Sequence, residues 1–195
     1  MHEKPYKLAV LACGRSGTAT AAAYFTAAGV HCGHETLAPH HTRDGETNIH
    51  VRGVVGWPVV FTYRLDAFEH VWHQVRHPLD VIASTTRYKT WATRGVLNLS
   101  PDNKVLRGMQ YWLYWNLMCE HMAEYTYRIE DLGKDSTLVA MMAVALGVPI
   151  ADLAVDPGTR NNKDHAAVTW ADCEATDAEL TEAIRKQAGG YGYNV

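Results

Sequence analysis

Near its start the chain switches abruptly between two patterns. Residues 7–12 (KLAVLA) are a short apolar run, Cys13-Gly14-Arg15-Ser16-Gly17-Thr18 follows, and then comes an alanine-rich stretch to Ala28. Apolar run, glycine-containing turn and good helix formers spell strand, loop, helix. Gly29 stands where a helix C-cap is expected, and residues 30–33 read as a second strand. The pattern returns at residues 71–75, a third strand, where Arg76-His77-Pro78 opens a helix with proline at its first position and Asp80 in its first turn, where the helix dipole favours an acid. Strands alternating with helices imply an α/β fold, a three-layer domain with a mostly parallel central sheet flanked by helices. Ligands of such sheets sit at the carboxyl ends of the strands.

Elsewhere the pattern is looser. Residues 35–52 are polar, with Pro39, His40, His41 and Asp44-Gly45, and read as a surface loop long enough to be functional. Residues 54–63 are apolar but interrupted by Gly56, Trp57 and Pro58, which predicts a turn and then a brief strand or helix. A long helix is expected over 104–124, with Leu106, Met109, Leu113 and Leu117 marking one face and Tyr111, Trp112, Trp115 and Met118 thickening it. Residues 125–129 read as a short strand and 136–146 as a helix ending at Gly147. Thr176 with Glu179 reads as the capping box of a last helix to Gln187. Residues 156–165, with Arg160 and Lys163, form a polar loop. At 195 residues the chain fits a single domain, 1–195.

Composition excludes several classes. A formal charge of -3 speaks against a general nucleic-acid or membrane-surface binder, so any anion site must be local. Cys13, Cys32, Cys119 and Cys173 form no C-x-x-C pair, which suits a reducing, cytoplasmic setting better than a disulfide framework. No secretion signal is visible, and residues 109–122 are too short and too interrupted for a membrane span. His31, Cys32, His34, His40 and His41 crowd together without the repeated spacing of zinc ligands, so no metal is expected.

The loop Gly14-Arg15-Ser16-Gly17-Thr18 carries the chemistry. Glycine-freed amides and a helix N-terminus make a phosphate cradle. A nucleotide triphosphatase would want a lysine before the final Ser or Thr and an acid at a later strand end for magnesium. This chain has Arg15 inside the loop and Arg76 at the strand end instead, which suits an anion held without a cation.

That loop resembles the 5′-phosphosulfate loop of sulfotransferases, and residues 75–84 (VRHPLDVIAS) resemble their 3′-phosphate motif. The resemblance implies 3′-phosphoadenosine-5′-phosphosulfate (PAPS) as donor. Gly14, Arg15, Ser16, Gly17 and Thr18 would lie on the 5′ side and Arg76 and Ser84 on the 3′-phosphate, with Lys163 in the loop that closes over the donor. Gly33-His34-Glu35 with Asp44-Gly45 is similar to a segment after the second strand of some bacterial members, and residues 127–132 (YRIEDL) to a block near the end of their core. Family members use histidine or glutamate as base, so His34 and Glu35 are the catalytic candidates, Glu35 narrowly ahead, with Arg15 stabilising the leaving phosphate. Thr20 stands where animal members stack a tryptophan on adenine, and the adenine contact is unassigned. The expected acceptor is a small molecule or carbohydrate bearing a hydroxyl or amine, with neither nucleic acid nor membrane as partner. The competing readings are a P-loop nucleotide or small-molecule kinase and a non-catalytic nucleotide-binding module.

Overall fold

The computed structural model describes residues 6–35, 52–56, 64–86, 97–158 and 166–195. Its strands are β1 (Tyr6–Ala12), β2 (His31–His34), β3 (Arg52–Gly56), β4 (Phe68–Val75) and β5 (Tyr125–Arg128), in one sheet of order β2-β3-β1-β4-β5. Every pairing is parallel: Leu8 of β1 lies opposite Gly53 on one side and His70 on the other. Parallel neighbours require crossovers. Among the described residues α1 (Thr18–Ala27) links β1 to β2, α2 (Pro78–Thr85) and α3 (Lys104–Met122) lie between β4 and β5, and α4 (Ser136–Leu146), α5 (Ile150–Leu153), α6 (Trp170–Thr176) and α7 (Ala178–Gly190) follow β5.

Strand alternation sorts these helices onto two faces. Leu8 and Val10 of β1 join a core with Phe25 of α1, Met142 and Leu146 of α4 and Leu153 of α5. Ala9 and Leu11 join a second core with Ile82 of α2, Met109 and Trp112 of α3, Cys173 of α6 and Ile184 of α7. A strand buried on both sides is continuously apolar, which is why 7–12 reads as it does. All four cysteines are unpaired and buried, and burial raises their pKa values, so they persist as neutral thiols. No helix among the described residues is long and apolar enough to cross a membrane.

Local chemistry fixes several ends. α1 closes in a Schellman turn: Gly29 takes φ 88°, Gly29 N donates to Thr26 O at 3.1 Å and Val30 N to Phe25 O at 2.9 Å. Gly147 (φ 67°) ends α4 in the same left-handed region.

Three expectations need correction. The strand ending before Arg76 is the fourth, because 52–56 forms β3; residues 57–63 lie outside the described ones. The capping box belongs to α6, a helix the sequence pattern did not reveal, and joins Thr169 to Asp172; α7 is capped instead by Asp177, whose side chain accepts from Leu180 N at 2.9 Å. On α3 Met109, Leu113, Tyr111, Trp112 and Trp115 are buried as the pattern predicts, together with Gly108 and Cys119, but Leu117 is 42% exposed. Helices α2 and α3 approach closely at Gly108, where a Cβ would stand 2.7 Å from Thr85 Oγ1.

Candidate anion-binding site

The loop between β1 and α1 bends through two left-handed residues, Arg15 (φ 73°) and Gly17 (φ 80°). For arginine that conformation costs on the order of 1 kcal/mol, so the surroundings must hold it. A turn bond, Ser16 N to Cys13 O at 3.2 Å, closes the loop, and Gly17 stands at the N-cap of α1 with no side chain capping the first turn. The leading amides of a helix have no intrahelical partner, and here no side chain caps them. Ser16 is wholly buried, and its Oγ has no hydrogen-bond partner of normal geometry; the neighbouring Cys13 thiol is a weak one at best.

The two sequence-predicted anion motifs meet. Arg15 Nε donates to Ser84 Oγ at 2.8 Å, and Arg76 Nη1 donates to Arg15 O at 3.2 Å. Arg76 also pairs with Asp80 one turn on, Nη2 to Oδ2 at 3.1 Å. The strand-end arginine is therefore part of an i,i+4 surface ion pair and of the loop at once. Ser84 is 1% exposed and sits in the last turn of α2, where the two turns from Pro78 carry it back over the loop. Arg15, Arg76 and Ser84 thus form one continuous polar chain across the ends of β1 and β4.

Beneath the loop lies a buried brace that the motif reading missed. Gln74, at the penultimate position of β4 and fully buried, donates Nε2 to Ser16 O at 2.6 Å and accepts at Oε1 from Tyr127 OH at 2.9 Å. Tyr111 OH accepts from Gly14 N at 2.9 Å, and Trp112 Nε1 donates to Arg76 O at 3.0 Å. Burial, and then the nearby Cys13, raise the Tyr111 pKa, so it remains a neutral phenol. The Ile129 side chain lies 3.0 Å from where a Gly17 Cβ would be, so that position accepts glycine for space as well as for φ. Glu130 ties the exit of β4 to the chain's last residues, accepting from His77 N at 3.1 Å and from Tyr193 OH at 2.9 Å. A polar residue inside an apolar strand, Gln74, was the available signal.

His34 ends β2 beside the loop: its Nε2 lies 2.9 Å from Thr18 Oγ1, and Glu35 Oε1 lies 3.6 Å from the same nitrogen. Glu35 is itself left-handed (φ 63°), and its amide bonds to Val55 O at 2.8 Å, so backbone pairing with β3 sets where both side chains emerge. Both are partly exposed. Lys163, His40, His41 and Asp44-Gly45 lie outside the described residues. Among the described residues no group of three or more His, Cys, Asp or Glu side chains is placed to hold a metal. Comparison of the chain with protein-family models, curated proteins and solved structures finds no match.

Proposed function

We propose that this chain is a P-loop-type, three-layer sulfotransferase domain that moves a sulfuryl group from PAPS to a hydroxyl or amine acceptor. One observation carries the reading: the bonds from Arg76 to Arg15 and from Arg15 to Ser84 join the two anion motifs into one site. Two phosphate groups of a single donor fit such a pair. The uncapped start of α1 and the buried Ser16 hydroxyl fit the 5′ end, and Arg76 with Ser84 fits the 3′-phosphate. Bound there, the donor supplies an activated sulfuryl group.

The chain's own residues supply the rest. Arg15 and the loop amides face the charge that grows on the phosphate as its oxygen–sulfur bond breaks. His34 or Glu35 takes the proton from the acceptor as the new bond to sulfur forms. The pair's 3.6 Å separation suits a histidine whose second role is to orient, or to be oriented by, the carboxylate. Gln74 and Tyr111 hold the loop in the strained shape that aims its amides.

Melting curves with 3′-phosphoadenosine-5′-phosphate, adenosine 5′-phosphosulfate and magnesium-ATP test this directly. Ligand at about 100 times its Kd adds about 2.7 kcal/mol, or roughly 5–10 °C for a chain of this size. The bisphosphate should give that shift, the compound without a 3′-phosphate a smaller one, and Arg76→Ala should abolish the difference between them. A chelator-sensitive shift with ATP alone would instead make the chain a kinase. Bisphosphate binding without transfer to any acceptor would make it a non-catalytic module. Glu35→Gln and His34→Ala should not both retain full turnover; if both do, the base lies elsewhere.

A further inference from the structure

Helix α3 buries a positive charge that the loop does not use. Arg107 is 5% exposed, and its Nη1 donates to Pro101 O at 2.8 Å and reaches Ser100 O at 3.5 Å. Its Nη2 is buried with no hydrogen-bond partner, and among the described residues no carboxylate pairs with it. A guanidinium that meets only carbonyl oxygens keeps its charge uncompensated, and a buried charge normally has a counter-ion.

Its place in the fold is informative. Arg107 stands one turn before Tyr111, whose hydroxyl accepts from Gly14 of the loop, and next to Gly108, which packs flush against Thr85 beside Ser84. It therefore belongs to the stretch of α3 that passes over the ends of β1 and β4. The groups already assigned to the donor are Arg15, Arg76 and Ser84, which are bonded to one another and not to Arg107. Arginine's planar fork, held at one nitrogen by two carbonyls, leaves the other set to receive an oxygen anion.

We propose that Arg107 anchors an anionic oxygen group of the acceptor, a carboxylate, phosphate ester or sulfate ester, so that this chain acts on an acceptor already negatively charged; the acceptor half of this rests on the sulfotransferase reading. The site is completed by ligand and not by protein. A neutral acceptor would leave the guanidinium unmatched.

Two titrations separate the failure of this inference from the failure of that reading. Wild-type protein, Arg107→Met and Arg107→Lys are melted first with 3′-phosphoadenosine-5′-phosphate, then at saturating bisphosphate with added sodium sulfate, against sodium chloride at matched ionic strength. The bisphosphate should stabilise all three alike. Sulfate should add further protection in the wild type, bind about tenfold or more weaker in Arg107→Met, and recover partly in Arg107→Lys. Equal sulfate protection of the wild type and Arg107→Met overturns the anchor. Failure of the bisphosphate to bind any of them overturns the sulfotransferase reading alone, because Arg107-dependent sulfate protection still scores the anchor. If Arg107→Met does not fold, wild-type crystals soaked in selenate decide: an anomalous peak within hydrogen-bond reach of Nη2 supports the anchor, and water alone there overturns it.

Discussion

Toward α1 and α4 the sheet presents Leu8, Val10, Val55 and Trp72, closed over by Phe25, Met142 and Leu146; toward α2, α3 and α7 it presents Ala9 and Leu11 but also His73, and the interior takes in Asn116, Thr85, Ser84 and Arg107. Two buried tyrosine hydroxyls on the first side are matched: Tyr24 OH donates to Leu153 O, and Tyr127 OH to Gln74 Oε1. On the second side His73 is bound by Asn116 at 3.0 Å and Thr126 at 3.3 Å, yet Asn116 Nδ2 and Arg107 Nη2 find no partner. Each orphan costs on the order of 1–3 kcal/mol. One face holds the domain together, and the other gives up stability where α3 approaches the loop, as functional sites commonly do.

The largest test of this division is Phe25→Ala on the apolar face. It should cost about 3–5 kcal/mol in urea unfolding while leaving ligand affinity of the folded protein unchanged. A loss below 1 kcal/mol would break the contrast.

Acid should attack the other face. Burial lowers the His73 pKa from 6.5 to about 4, opposed in part by its bond to Asn116. The unfolded chain then takes up this proton first, so the stability the group confers is complete above pH 6.5 and drains away as pH falls from there toward 4. The total is roughly 3 kcal/mol. Denaturant titrations across that range should show the fall in the wild type and a shallower one in His73→Gln.

Gly108→Ala should destabilise by about 1–3 kcal/mol although alanine favours helix, because its Cβ would meet Thr85 Oγ1 at 2.7 Å and Ile82 Cα at 3.2 Å. Gly189→Ala in α7, with nothing within 4 Å, should gain about 0.5–1 kcal/mol. The same sign for both in thermal melts would mean that α2 and α3 yield freely. Smallest are the caps. Asp135→Ala on α4 and Asn103→Ala on α3 should each cost about 1 kcal/mol, and only the second should also weaken anion binding, as read by calorimetry.

Much of the scaffold was legible because strand 1 carries a continuous apolar run, residues 71–75 keep Val71, Trp72 and Val75, and the turns after the two strands hold glycine, arginine and proline. β3 was hidden by Gly53 and Gly56, which look like breakers; at Gly53 the glycine lets strands lie close, since a Cβ there would stand 2.5 Å from Cys32 Sγ. α6 was hidden because a seven-residue helix offers too few turns to show a period. Within the candidate site, Arg15, Arg76 and Ser84 could be named from motif spacing. Gln74, Tyr111 and Arg107 could not, since a polar residue in a strand or an arginine in a helix acquires meaning only from what the fold sets against it.

The order of the strands has a consequence for how the molecule is made. β1 is synthesised first but finds its neighbours in β3 and β4, so Leu8 must wait for both Gly53 and His70 to leave the ribosome. At ordinary translation speeds that interval is on the order of seconds. During it a nascent segment apolar on both sides has no sheet to join, and long-range pairing of this kind is slow to nucleate. A newborn copy is thus most exposed to misassociation before its central strand is enclosed, and holdase chaperones would find their natural target in residues 7–12.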